Sequence, residues 1–139
     1  MGEAGSKRGR AQAGKVTHLP HIGGGRCGER LDAFVRRRLR LYGTSGSRFR
    51  ATIHNAANHP RVRDELNTNR RLLREQFELQ FGPELAALSP RARSSAVEAG
   101  NALTQIDTLD LLRRVRNLTV AETDVVLRDA LAALLTPSS

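Results

Sequence analysis

The segment from residue 119 to residue 135 restricts the fold more than any other part of the chain. Thr119 is followed three residues later by Glu122, the spacing of a capping box at a helix start. The helix that follows is apolar on most of its sides, through Val125, Val126, Leu127, Ala130, Leu131, Ala132, Ala133, Leu134 and Leu135. Such a helix needs cover on most sides. We expect part of that cover from a second subunit; the alternative is a central helix buried within one chain.

Four further helices are predicted from apolar residues that recur at helical spacing. Gly43 has the position of a left-handed helix cap, so the stretch 43–47 is predicted as a loop. Pro60 and the pair Ser89-Pro90 mark helix starts. The four predicted helices span residues 31–42, 48–57, 60–81 and about 90–116. Because no segment alternates apolar and polar residues over the length of a strand, the sequence predicts an all-α protein of five main helices.

Residues 1–28 differ from the rest of the chain in composition and charge. They are rich in glycine and basic residues and lack apolar periodicity, so they bury too little apolar surface to offset the entropy of ordering. Residues 1–50 carry twelve Lys and Arg against three acids, whereas residues 51–139 carry eleven of each. We expect a basic, disordered arm at 1–28 that binds nucleic acid at most weakly and without sequence preference. The helical domain is expected at 29–136.

The basic run 36–40 is the densest cluster of arginines in the chain. Most of it is predicted to form a solvated helix face. Arg38 is the exception, because it falls close to the apolar stripe of its helix. It is therefore the arginine expected to point inward.

The sequence argues against a membrane protein and against a secreted one. No apolar run approaches the roughly 18 residues of a membrane span, and no apolar segment follows the basic N-terminus as in a secretory signal. The single cysteine, Cys27, cannot form an internal disulfide, which fits a reducing compartment. We expect a cytoplasmic protein that binds no membrane.

No group of residues has the pattern of a catalytic, metal or nucleotide site. The run 23–28 matches G-x-G-x-x-G, but no predicted strand precedes it and Arg48 stands where an acid is needed. His18, His21 and Cys27 lack the paired spacing of a metal site. No acid is joined to a histidine, serine or cysteine in the spacing of an activated nucleophile. The sequence predicts that the protein is not an enzyme and has no cofactor and no metal.

Five short motifs follow one another along the helical part of the chain. They are RLDAFV at 30–35, NHPRVR at 58–63, NRRLLR at 69–74, LDLLRR at 109–114, and LTVAE at 118–122 followed by VLRDALAALL at 126–135. Their order and spacing resemble the regulatory half of TetR-family transcriptional regulators, over residues 29–135. The resemblance implies an antiparallel helical bundle that senses a small molecule and dimerises. We expect no counterpart of the family's helix-turn-helix in residues 1–28, which are too few and too aperiodic to form a DNA reader.

The resemblance also implies a ligand pocket among the first helices and a dimer interface on the last two. The ligand is expected to be a small apolar or cationic molecule. The residues expected to bind it are Phe34, Phe49, Ile53, Leu66, Asn69, Leu73, Phe77, Asn101 and Gln105. Those expected at the dimer interface are Leu103, Ile106, Val126, Leu127, Leu131 and Leu134, with Leu127 and Leu131 as its seam.

The expected partner is a second copy of the chain or a full-length regulator. A different class of function is also consistent with the sequence, a helical protein-interaction module that pairs with an intact regulator. A cavity within the first helices favours the sensor. A solid core there favours the interaction module.

Overall fold

A computed structural model describes residues 27–137 of the protein. These residues form helices joined by short connections, which confirms the all-α prediction. The helices are α1 (Cys27–Ala56), α2 (Pro60–Gln80), α3 (Gly82–Ala86), α4 (Pro90–Thr104), α5 (Ile106–Asp110) and α6 (Val120–Leu135), with a π-helical turn at Leu111–Val115. They form a bundle in which α1 contacts α2, α5 and α6. None of these helices is both long enough and apolar enough to cross a membrane.

α1 runs without interruption through the segment 43–47, so the prediction of a loop there is wrong. Gly43 does not have the left-handed backbone of a cap. The ring of Tyr42 lies across Gly46, one turn later, where an added Cβ would stand 2.9 Å from Tyr42 Cε1. The hydroxyl of Thr44 donates to the carbonyl of Arg40 at 3.3 Å, within the helix. Glycine, serine and threonine residues that are typical of turns are therefore part of a continuous helix here.

α2 and α4 begin where the sequence predicts. Pro60 stands in the first turn of α2. The hydroxyl of Ser89 accepts a hydrogen bond from the Ala92 amide at 3.2 Å and so caps α4 ahead of Pro90. α2 ends at Gln80, close to the predicted end at residue 81. The short helix α3 follows it directly and was not predicted.

The predicted helix 90–116 is divided into three segments. Gln105 has an extended backbone with φ −72° and ψ 156°, which ends α4. In a continuous helix the Thr108 amide would bind the Thr104 carbonyl, but here it donates to the Gln105 carbonyl at 3.1 Å. Arg38 Nε donates to the Thr104 carbonyl instead, at 2.7 Å. The donor that stabilises the break therefore comes from α1, where a local sequence pattern cannot show it.

The π-helical turn at Leu111–Val115 ends in a left-handed residue. The Arg116 amide donates to the Leu111 carbonyl at 2.9 Å, the five-residue step of a π-helix. Asn117 has φ 59°, in a region that asparagine tolerates better than most residues do. The Leu118 amide then closes the turn by donating to the Leu112 carbonyl at 3.0 Å. π-Helical turns are rare, and they are found frequently at functional sites.

α6 begins with the predicted capping box. The hydroxyl of Thr119 accepts from the Glu122 amide at 3.1 Å, and the Glu122 carboxylate accepts from the Thr119 amide at 2.8 Å. Both hydrogen bonds satisfy amides that a helix start leaves without partners. The helix ends at Leu135, again as predicted.

The core joins aromatic side chains at one end of the bundle to the leucines of α6. Phe34, Phe77 and Phe81 are fully buried, with ring centroids between 5.2 and 5.8 Å apart. Leu127 and Leu131 are also fully buried and belong to the same cluster. One face of α6 is therefore covered by its own chain, without a second subunit.

The predicted arm at 1–28 lies outside the described residues, apart from Cys27 and Gly28 in the first turn of α1. The helical domain thus begins slightly before the predicted boundary at residue 29. The prediction that the arm is disordered therefore concerns residues that the structure does not describe. His18 and His21 are also outside the described residues.

Candidate functional site

An apolar groove between α1 and α2 is the first candidate for a binding site. Because α1 continues past residue 47, Leu41, Ser45 and Phe49 are spaced one turn apart on one face of it. The groove has a volume of about 200 Å³ and is partly open to solvent. It is lined by Leu41, Ser45, Arg48, Phe49, Thr52, Asn69, Leu72, Leu73 and Ile106. We refer to it as the α1–α2 groove.

The predicted pocket residues divide into two groups. Three line the α1–α2 groove, namely Phe49, Asn69 and Leu73. Phe34 and Phe77 do not, because both rings are fully buried in the aromatic core. Leu66 is buried but does not line the groove, and Ile53, which is 37% exposed on α1, does not line it either. The groove therefore includes only part of the predicted set of pocket residues.

Asn101 and Gln105, the two predicted polar pocket residues, bind each other rather than facing the groove. Gln105 Nε2 donates to Asn101 Oδ1 at 2.7 Å and to the Arg70 carbonyl at 3.3 Å. Gln105 precedes Ile106, which does line the groove. These contacts fix the start of α5 against α2 and α4, and neither residue is part of the groove lining.

The charged groups at the α1–α2 groove are mainly positive. Arg48 is part of the lining, which contains no acid among the described residues. The Arg70 guanidinium carbon lies 5.8 Å from the centre of the Phe49 ring, and its charge is paired with Asp107 at 2.6 Å. The lining therefore fits a neutral or anionic apolar ligand better than the cationic one that the sequence also allowed.

Arg38 points inward, as predicted, and is only 1% exposed. It donates to the carbonyls of Thr104 at 2.7 Å and Leu73 at 2.9 Å, and to the side-chain oxygen of Gln76. Its guanidinium carbon lies 4.6 Å from the centre of the Phe34 ring. Burial lowers the pKa of Arg38 to about 9. The three hydrogen bonds join α1 to α2 and α4, so Arg38 is a structural residue.

A polar cluster on the other side of α1 was not predicted. The Tyr42 hydroxyl and Arg50 Nη1 both donate to Asp110 Oδ1 at 2.7 Å. Arg114 Nη1 lies 3.6 Å from the second oxygen of the same carboxylate. Gly46 makes this geometry accessible, because the Tyr42 ring lies flat across it. Local sequence patterns could not predict the contact between Tyr42 and Asp110, which are 68 residues apart.

The ionisation of this cluster follows from its contacts. Burial raises the pKa of Tyr42, and the hydrogen bond and negative charge of Asp110 raise it further. Burial also acts to raise the pKa of Asp110, but hydrogen bonds from Tyr42 and Arg50 and the charges of Arg50 and Arg114 outweigh it. The pKa of Asp110 therefore lies below its ordinary value, and the carboxylate is charged at neutral pH.

The predicted dimer seam is wrong. Leu127 and Leu131 are fully buried within their own chain, and so is nearly all of Ile106. Leu103 and Leu134 are half-buried, and Leu134 packs against the core cluster. The helical stripe of α6 identified residues that need cover, but the cover comes from the same chain.

Of the predicted interface residues, Val126 is the one that is exposed, at 41%. Beside it Val125 is 51% exposed, and Leu118 and Ala121 complete a shallow apolar surface at the start of α6. We refer to Leu118, Ala121, Val125 and Val126 as the α6 patch. Val120, 53% exposed, extends the apolar surface next to it.

Within residues 27–137 no cluster of His, Cys, Asp and Glu could hold a metal ion. Comparison of the chain with family models, with curated proteins and with solved structures finds no match in any of the three.

Proposed function

We propose that this chain is a ligand-sensing and dimerising domain, similar in organisation to the regulatory half of a TetR-type regulator. The α1–α2 groove is the observation that carries the proposal. Small-molecule sites are concave and mostly apolar, with a few polar groups that orient the ligand. Phe49, Leu73 and Ile106 supply the apolar walls of this groove, and Asn69 and Arg48 supply polar groups at its surface.

The contacts around the groove connect it to the α6 patch. A ligand in the groove touches Leu73 on α2 and Ile106 at the start of α5. α5 follows the break at Gln105 and leads through the π-helical turn into α6. The break itself is held by Arg38 through the Thr104 carbonyl. This is a continuous route of elements from the ligand to the surface proposed for dimerisation, along which binding in the groove could influence the dimer.

A matched set of probes tests the ligand class. We expect naphthoate and methylnaphthalene to raise the melting temperature, and naphthylmethylammonium to raise it less, because Arg48 disfavours a cation. A ligand that binds only the folded chain stabilises it by RT ln(1 + [L]/Kd), so the stabilisation keeps rising with the logarithm of the ligand concentration above Kd. Absence of a shift that rises with the concentration of the anionic and neutral probes would contradict the sensor proposal.

Two neighbouring substitutions locate the site. Thr52→Trp places an indole in the lining of the groove, whereas Ile53→Trp adds the same side chain to an exposed position outside it. We expect Thr52→Trp to abolish the melting-temperature shift and Ile53→Trp to preserve it, with helical circular dichroism unchanged in both. If the two variants respond to naphthoate alike, the ligand is bound elsewhere.

The α6 patch is the surface we propose for the dimer, since its apolar side chains remain exposed after the chain has covered Leu127 and Leu131. Val125→Glu would bury an unpaired charge in that interface, at a cost of several kcal/mol. Leu79→Glu is the control, because Leu79 is 58% exposed on α2, away from the patch. Light scattering should find a dimer for the wild type and for Leu79→Glu, and a folded monomer for Val125→Glu.

A monomeric wild type at tens of micromolar would overturn dimerisation. The α6 patch would then favour the second function, an interaction module whose partner is another protein with an apolar surface.

A further inference from the structure

A second groove lies on the opposite face of α1 and has a different character. Its volume is about 330 Å³, and its lining includes Arg50 on α1 and the adjacent pair Arg113 and Arg114. The Tyr42 ring and Ser47 contribute hydroxyl groups to the same surface. We refer to it as the arginine groove. It shares no lining residue with the α1–α2 groove.

The charges of the arginine groove do not balance. Arg50 and Arg114 share a single carboxylate, that of Asp110, through its two oxygens. Arg113 donates to the backbone carbonyl of Leu118, a neutral acceptor. Three guanidinium groups therefore face one carboxylate, which leaves an excess of two positive charges. A phosphomonoester carries close to two negative charges at neutral pH, so its charge is complementary to this excess.

The backbone that carries two of these arginines is unusual. Arg113 and Arg114 belong to the π-helical turn, which is followed by the left-handed Asn117. π-Helical turns are rare and occur frequently at functional sites. The Arg113 contact to Leu118 holds the end of this turn. This segment thus borders the groove and supplies two of its three arginines.

We infer that the arginine groove binds a phosphate group, carried by a small phosphomonoester or present as the free ion. Arg114 and Arg50 donate to the phosphate oxygens in the paired geometry that guanidinium groups favour. The Tyr42 hydroxyl, which donates to Asp110 in the unliganded chain, donates to the phosphate or remains on the carboxylate beside it. This site is independent of the proposed sensor groove, and failure of either proposal leaves the other intact.

The composition of the chain provides a reporter for this site. Tyr42 is the single tyrosine, and the chain contains no tryptophan. Its fluorescence therefore reports on the arginine groove alone, and phosphate held by other basic residues does not contact it. The full chain should be titrated with inorganic phosphate and with glycerol phosphate, both transparent in the ultraviolet, with chloride keeping the ionic strength constant. We expect a saturable change in tyrosine emission.

Two arginine variants distinguish a defined phosphate site from binding that depends only on the positive charge of the chain. Arg114→Gln should weaken phosphate binding about tenfold or more, the effect of one charge-assisted hydrogen bond. Arg116→Gln removes the same charge close by, but Arg116 does not line the groove, so its affinity should stay within about twofold of the wild type. Arg50→Gln should repeat the loss seen for Arg114→Gln, and circular dichroism verifies that each variant is folded.

The comparison of the two probes identifies the source of the phosphate. Tighter binding of glycerol phosphate indicates a phosphomonoester, and tighter binding of inorganic phosphate indicates the free ion; either supports a phosphate site. Equal losses in Arg114→Gln and Arg116→Gln would overturn the inference, since binding would then follow net charge. The absence of a saturable change in the millimolar range would overturn it as well.

Discussion

Two glycine substitutions, one buried and one exposed, should change stability in opposite directions. Gly100 on α4 is buried against the ring of Phe77: an added Cβ would stand 2.2 Å from Cζ and 2.7 Å from Cε1. Gly43 in α1 is exposed and helical, and an added Cβ there would meet nothing within 4 Å. Alanine therefore gains helix propensity at both positions but meets a steric barrier only at Gly100.

The magnitudes follow from these distances. Replacing glycine by alanine inside a helix stabilises by about 1 kcal/mol. At Gly100 the ring of Phe77 cannot move aside freely, because the rings of Phe34 and Phe81 lie 5.8 and 5.2 Å away. Overpacking a core costs about 1–3 kcal/mol, and a contact this short belongs at the upper end. We expect Gly100→Ala to lose about 2 kcal/mol and Gly43→Ala to gain about 0.5–1 kcal/mol.

Urea denaturation followed by far-ultraviolet circular dichroism measures both changes, with thermal unfolding as a second assay. A loss of about 2 kcal/mol lowers the melting temperature of a domain this size by roughly 8 °C. Gly43→Ala also distinguishes a continuous α1 from the loop that the sequence suggests. If Gly43 were a left-handed cap, alanine would destabilise the chain. A destabilised Gly43→Ala, or a Gly100→Ala as stable as the wild type, would refute the packing described here.

Four further outcomes are expected. Leu131→Glu should unfold the chain rather than produce a monomer, because this leucine is fully buried in its own core; loss of the helical circular dichroism signal would show it. Thr119→Ala should lower the free energy of unfolding by about 1 kcal/mol in urea, since it removes one half of the capping box. Arg38→Leu should cost about 1–3 kcal/mol in the same assay, because the Thr104 carbonyl loses its donor. The pKa of Asp110 is lowered in the folded chain, so its stabilising contribution is present above its ordinary pKa of about 3.9 and is lost as the pH falls through the lowered value; Asp110→Asn should show a shallower acid-induced decline in stability.

Helix starts were the part of the fold that the sequence predicted best. Ser89 and Thr119 act on amides within the next turn, so their caps depend on residues a few positions away. The interruption at Gln105 could not be predicted in this way, because its stabilising donor is Arg38 on another helix. The predicted loop at 43–47 failed for a related reason: Gly46 accommodates the Tyr42 ring and does not form a turn.

The candidate sites could likewise be predicted only where they depend on residues that are close together in the sequence. Phe49 and Leu73 were predicted because they belong to apolar stripes, and they line the α1–α2 groove. Ser45 and Arg48 were missed, since the predicted loop removed the first from α1 and placed the second at a helix end. The arginine groove depends on Asp110, whose role is set by residues of α1 far away in sequence.

The cover of α1 by α6 has a consequence for the order in which the protein is made. α1 leaves the ribosome before the other described helices, and its buried residues Phe34 and Val35 then lack the partners that those helices supply. Phe77 and Phe81 follow with α2, but Leu127 and Leu131 are synthesised only with α6. Until then the nascent chain exposes an apolar helix face to the ribosome surface and to chaperones. A stop codon ahead of Val120 would therefore release a chain whose core cannot close, and such a product should be degraded rather than accumulate as a smaller folded domain.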